Sequence, residues 1–161
     1  MPFTKLEKMV DVCKAHHSAL NPADPDFHEL EFIIVSGLVL QIISEYESMI
    51  EDLFIDRASL CSDPHVENFV RVMISEKFRS PDIGKITEIL GKFGRDYRSN
   101  FENNVLNTDL HAAWDNIMRA RHAIVHQKGT LQLTFNELIT SYPKTKTIFS
   151  CLRGALTLPA I

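Results

Sequence analysis

Residues 27–58 constrain this chain more than any other segment. On a helical wheel, Val35, Leu38, Val39, Ile42, Tyr46, Met49, Ile50 and Leu53 cover one broad face, with Gln41, Glu45, Ser48 and Asp52 on or beside its edge. Phe32, Ile33 and Ile34 extend the apolar surface toward burial on all sides. A helix this long and this widely apolar has to be covered by several others, which predicts the central helix of a bundle. The most apolar stretch, residues 32–43, is interrupted by Ser36, Gly37 and Gln41 and flanked by Glu29, Glu31, Glu45 and Glu47. It falls short of the roughly 20 apolar residues of a membrane span, so the expectation is a buried helix of a soluble domain.

The remaining segments read as helices too. Residues 3–20 are amphipathic through Phe3, Leu6, Met9, Val10, Cys13 and Leu20. A loop with two prolines follows, and Asp26 can cap the long helix. Ser62-Asp63-Pro64 starts a helix over 65–78, and Ser80-Pro81-Asp82 starts another over 82–91, with Pro81 expected in its first turn. Gly91 and Gly94 precede a helix to about residue 102, and Asn103-Asn104 and Asn107-Thr108-Asp109 bracket a turn. A helix over 109–127 ends near Gly129, a natural residue just past a helix end. Thr134 caps the last helix, 135–157, with Pro143 accommodated by a local break or kink. No alternating strand pattern exceeds four or five residues, 130–134 being the nearest. The expected architecture is one all-α domain over residues 1–161, an up-and-down bundle with a helical insertion at 64–104.

Cys13, Cys61 and Cys151 are odd in number and widely spaced, which argues against a disulfide framework or zinc ribbon and points to a reducing cytoplasm. The net charge of −4 does not advertise a nucleic-acid binder, but it is unevenly distributed. Residues 1–63 hold 4 Lys/Arg against 12 Asp/Glu, and residues 64–161 hold 13 against 9. The basic remainder can present a cationic face, or the asymmetry can simply be solvated.

Chemistry concentrates in residues 109–127. With Leu110 as reference, Trp114, Ile117, Ile124 and Val125 lie within about 60° of it, and Arg121 lies at about 20°, in the middle of the apolar stripe. A buried guanidinium needs a carboxylate or an opening onto a site. The long helix offers Glu45, Glu47 and Glu51, with Glu45 the candidate orienting residue. The neighbouring face carries His111, Asp115, Met118, His122 and His126. His122 and His126, four apart, can face one pocket. They suit acid–base chemistry, an ordinary polar flank, or a metal ion; no His-Glu-x-x-His motif or nearby cysteine accompanies them, and no metal or cofactor is expected. There is no phosphate-binding glycine loop, no Ser or Cys nucleophile arrangement and no carboxylate cluster of the two-metal kind.

Arg121-His122-Ala123-Ile124-Val125-His126 resembles the Arg-polar-x-x-x-His signature of HEPN domains. The flanks resemble their RiboL-PSP-like branch: Gly91-Lys92-Phe93-Gly94, then Trp114, then Gly129 and a last helix opening Thr-x-x-Glu-Leu at Thr134. The resemblance covers roughly residues 30–157. It implies a helical bundle that pairs as a homodimer and an endoribonuclease that needs no metal. Arg121 would bind phosphate and His126 would be the essential histidine. His122 departs from the more frequent Asn, and its ring would orient His126, contact RNA or cap the helix. RNA contacts would come from Lys77, Arg79, Lys85, Lys92, Arg95 and Arg98, with Lys128 beside the site, and Phe78, Phe93 and Tyr97 would stack bases or lie in the core.

Arg121 and His126 stand about 140° apart on an ideal helix, so one copy does not easily aim both at one phosphate without a distorted helix end; a second copy across a dimer resolves this. The partners implied are RNA, a second copy, and a cognate antitoxin or neighbouring defence protein, with no membrane. Two other readings stay open: a catalytically silent HEPN domain that binds RNA, nucleotide or protein, and a plain helical interaction module in which Arg121 is structural.

Overall fold

The 33-residue helix predicted at the centre of the chain forms as one uninterrupted element, Phe27–Ser59, and four other helices lean on it. In the computed structural model, residues 3–78, 80–126 and 131–157 are described. Among these the order is α1 Thr4–Ser18, α2 Phe27–Ser59, α3 Pro64–Lys77, α4 Ile83–Phe93, α5 Arg95–Val105, α6 Asp109–His126 and α7 Phe135–Leu156, with no strand. α1, α3, α6 and α7 pack on α2, while α4 packs on α5 and α5 on α7. The all-α bundle is therefore as the sequence predicts. The three cysteines are free.

The core is organised by aromatics of α2. Tyr46, fully buried, stacks on Trp114 of α6 (centroids 5.2 Å, planes 11° apart) and meets Phe149 of α7 edge-on at 4.8 Å. Its hydroxyl shares a 2.6 Å hydrogen bond with the buried Thr145 hydroxyl, satisfying both. Two turns later Phe54 stacks on Phe93 and meets Phe78 edge-on, which ties the helical insertion to the same core.

Helix boundaries follow local chemistry with instructive exceptions. The Asp63 side chain accepts from the amides of His65 and Val66, Asp82 accepts from Lys85, and Thr134 forms a full capping box with Glu137. Asp26 stands at the cap position of α2, but its side chain makes no capping bond. Pro81 precedes the cap of α4 rather than entering the first turn, and its carbonyl accepts from the Trp114 indole at 2.9 Å. α5 runs past Asn103 and Asn104 to Val105, because Phe101 and Val105, one turn apart and both 0% exposed, bury together and override the weak helix propensity of asparagine. α7 continues through Pro143 as one helix, without a break. Buried Tyr142, Thr145 and Ile148 around the proline hold the segment in place.

α2 also departs from all-round burial. Phe32 and Ile33 are 48% and 57% exposed. Ile33, Gly37, Leu40 and Ser44 form an exposed stripe at helical spacing that the other described helices leave uncovered. By length and composition α2 is the one described helix apolar enough to cross a membrane, yet Val35, Leu38, Val39, Ile42, Tyr46 and Ile50 are buried in the bundle core.

The two caps separate experimentally. Thr134→Ala is expected to cost about 1 kcal/mol in urea unfolding, and Asp26→Ala less than about 0.5 kcal/mol, because only the first side chain makes capping bonds. Equal losses would overturn that assignment.

Candidate functional site

Helix α6 carries the candidate site. Trp114 and Ile117 are buried as the apolar stripe predicts, and so are Ala113 and Ala120. Arg121 falls within the face that these residues define, but burial fades toward the end of the helix: Arg121 and Ile124 are only partly buried, and Val125, which the wheel placed in the stripe, is 50% exposed.

Here the Arg121 Nη2 donates to Glu47 Oε1 of α2 at 3.5 Å, with the two side chains 23% and 26% exposed. Glu47 is thus the carboxylate that meets Arg121. Glu45, the expected orienting residue, instead accepts from Lys5 at 2.7 Å and from Gln41 at 3.0 Å, and the Lys5 hydrogen bond holds its carboxyl below the ordinary value. Only Tyr46 separates the glutamates in the chain, and a step of two positions, about 200°, turns them to different sides of α2. Burial raises the Glu47 carboxyl; Arg121 and Lys85 oppose the rise without cancelling it, and Glu51 adds to it. Glu51 is likewise raised, by burial first and then by Asp52.

The histidines occupy the outer flank. The rings of His122 and His126 lie 4.3 Å apart, tilted by 53°, and both residues are exposed. Nearer the start of α6, His111 approaches Asp115 at 3.5 Å. An open cleft of about 410 Å³ is lined by Ser80, Asp115, Met118, Arg119, Arg121 and His122. The Trp114–Pro81 bond pins the loop that contributes Ser80 to this wall. α6 is helical through His126, so it retains the separation of about 140° between Arg121 and His126. Among the described residues no three His, Cys, Asp or Glu side chains gather as a metal-binding group.

The supporting cations divide. Lys85 is close enough to act on Glu47 and also pairs with Asp82 at 3.6 Å. Lys92 lies two turns farther along α4, paired with Glu88 at 2.9 Å, and Arg95 is exposed at the start of α5. Arg98 pairs with Glu102 at 2.8 Å. Lys128, Arg79, Gly129 and the side chain of Lys77 lie outside the described residues. The aromatics of the insertion belong to the core: Phe78 and Tyr97 are buried, and Phe93 stacks on Phe54. Arg119, which the sequence reading did not single out, lines the cleft, and its Nη2 donates to Asn116 at 2.6 Å. Its spacing of three to His122 and seven to His126 puts it on their face, a signal that helical periodicity carries.

The bundle and the Arg121–His126 helix together define the class. A family model described as RiboL-PSP-HEPN matches residues 10–157, and the chain belongs to that branch of the HEPN domains. Membership points to a nuclease or RNA-related role, since HEPN domains are often RNases. No curated protein and no solved structure matched the chain.

The raised Glu47 carboxyl predicts a pH signature. A carboxyl whose folded value lies above the ordinary 4.5 contributes stability that is fully present below 4.5 and lost as pH rises through the folded value. Wild-type stability relative to Glu47→Gln, followed by urea unfolding from about pH 4 to 7, should therefore fall with rising pH and then level off. A flat difference, or one of opposite slope, would refute the assignment.

Proposed function

We propose that this HEPN domain is a metal-independent endoribonuclease that acts as a homodimer, in a toxin or defence role. The observation that carries the reading is the partly buried Arg121, opening onto a cleft beside His122 on the same helix as His126. RNA supplies its own nucleophile, the 2′-hydroxyl. Its oxygen attacks the adjacent phosphorus, the bond to the 5′-oxygen breaks, and a 2′,3′-cyclic phosphate and a 5′-hydroxyl result. A histidine accepts the proton of the attacking hydroxyl, and the leaving oxygen must receive one. Arg121 supplies a permanent charge for the crowded phosphorane.

The dimer is supported by two features. The helical separation of Arg121 and His126 favours contributions from two copies to one phosphate. The uncovered stripe of Ile33, Gly37, Leu40 and Ser44 continues at helical spacing into Glu47 and Glu51, and exposed Val125 lies on the Arg121 side of α6. An apolar surface running up to the site suits a second copy of the same chain. A cognate antitoxin or neighbouring defence protein would restrain the activity.

The contact with Glu47 favours a second reading, in which Arg121 is a structural residue of a silent domain. The purified protein should cleave total RNA or tRNA in excess EDTA and leave cyclic-phosphate ends. His126→Ala should lower the rate by about 10²–10⁴. Arg121→Ala should abolish cleavage while thermal unfolding stays cooperative; a variant that fails to fold would support the structural reading. Cleavage by His126→Ala at the wild-type rate would sink the assignment. Ile33→Asp should give a monomer in analytical ultracentrifugation without cleavage, whereas a fully active monomer would exclude a shared site.

A further inference from the structure

Glu47 meets Arg121 as a partly exposed counter-ion. The two partners come from different helices and are 74 residues apart in sequence, so the bundle, not a local turn, brings them together. At 3.5 Å the contact is well beyond the roughly 2.7–2.9 Å of a strong charge-assisted hydrogen bond. Both side chains reach solvent, and the Arg121 side chain lines the open cleft. A loose, solvent-reaching contact exchanges readily for a better one. A carboxylate and a phosphodiester offer a guanidinium the same thing, a negative oxygen pair in planar reach.

We propose that Glu47 is a resident anion on Arg121, one that an RNA phosphate must displace in order to bind. The inference rests on Arg121 being the phosphate-binding residue. The groups facing Glu47 set the terms of the exchange: Arg121 from α6, Glu51 one turn along α2, and Lys85 from α4. A phosphate arriving at Arg121 meets Glu47 and Glu51, with Asp115 on the cleft wall, and is opposed at Arg121 itself unless Glu47 swings away or takes a proton. Its burial, which already favours the protonated carboxyl, lowers the cost of the second route. An isolated anion gains one contact and faces the same repulsion, so it displaces Glu47 poorly. A polynucleotide with further phosphates on Arg119 and Lys85 displaces it well. The device thereby favours RNA strands over free phosphate.

Glu47→Gln keeps the shape of the side chain and removes the competing charge. Binding of a 2′-O-methyl RNA, which lacks the attacking hydroxyl, reads the exchange without cleavage. It would be measured by fluorescence anisotropy on wild type, Glu47→Gln, Glu51→Gln, Arg121→Ala and the Glu47→Gln/Arg121→Ala double variant, each checked for cooperative unfolding. Glu47→Gln should bind about three- to tenfold more tightly than wild type, Glu51→Gln should gain less, and the gain should vanish when Arg121 is absent. Unchanged or weaker binding by Glu47→Gln, with Arg121→Ala still impaired, overturns the displacement idea and leaves the phosphate role of Arg121 standing. Equal gains from Glu47→Gln and Glu51→Gln, or a gain that persists without Arg121, reduce the effect to general charge and also overturn it. If Arg121→Ala binds as well as wild type, the reading of Arg121 falls and this inference falls with it.

Discussion

The site depends on how Tyr46 locks three helices in register. Its ring stacks on Trp114 of α6 and meets Phe149 of α7, and its hydroxyl is satisfied by Thr145. A flat aromatic stack tolerates little sliding, and a buried hydroxyl bonded to one partner tolerates less. Glu47 follows Tyr46 in the chain, so the helix turns it about 100° away from the hub, toward the seam where Arg121 arrives. Trp114 in turn holds the Pro81 carbonyl, which anchors the loop before α4 and so brings Ser80 and Lys85 into range. One buried cluster therefore sets the cleft wall, the carboxylate and a nearby cation together.

The electrostatics of the fold differ from those of the sequence. The acidic first third meets the basic remainder in the pairs Glu7–Lys146 and Glu47–Arg121, while Glu45 pairs with Lys5 and Asp109 with Lys144 within their own parts. Several cations of the basic remainder are paired within their own helices, as in Arg71–Glu67, Lys92–Glu88 and Arg98–Glu102. Exposed pairs of this kind add little stability, but they neutralise charge locally. Among the described residues, the charges at the cleft and around Glu47 include Arg121, Arg119 and Lys85 against Glu47, Glu51 and Asp115.

The layout of the candidate site along α6 was legible one helix at a time. The Arg-x-x-x-x-His spacing, the four-residue step between the histidines and the capping signals are all local, and local chemistry is what helical periodicity reports. The choice of Glu47 over Glu45 was not legible. Both are glutamates near the edge of the same face, and only the placement of Lys5 and Arg121 around α2 separates them. Spacing left Phe78, Phe93 and Tyr97 as core residues or stacking platforms, and the burial of Phe78 and Tyr97 and the partial burial of Phe93 follow from where Phe54 and Arg57 of α2 meet the insertion.

The sequence by itself determined the number and kind of helices, the central place of α2, and the helix that bears Arg121 and His126, because periodicity and caps act within a few residues. Tertiary structure alone decided that Arg121 is only partly buried. Arg121 lies on the buried side of α6, but near the end of the helix, where Ile124 is also only partly buried and Val125 is exposed. It also decided that Phe32, Ile33 and Leu40 remain exposed, since whether an apolar residue is covered depends on which neighbours reach it in the assembled bundle, and not on the residue itself.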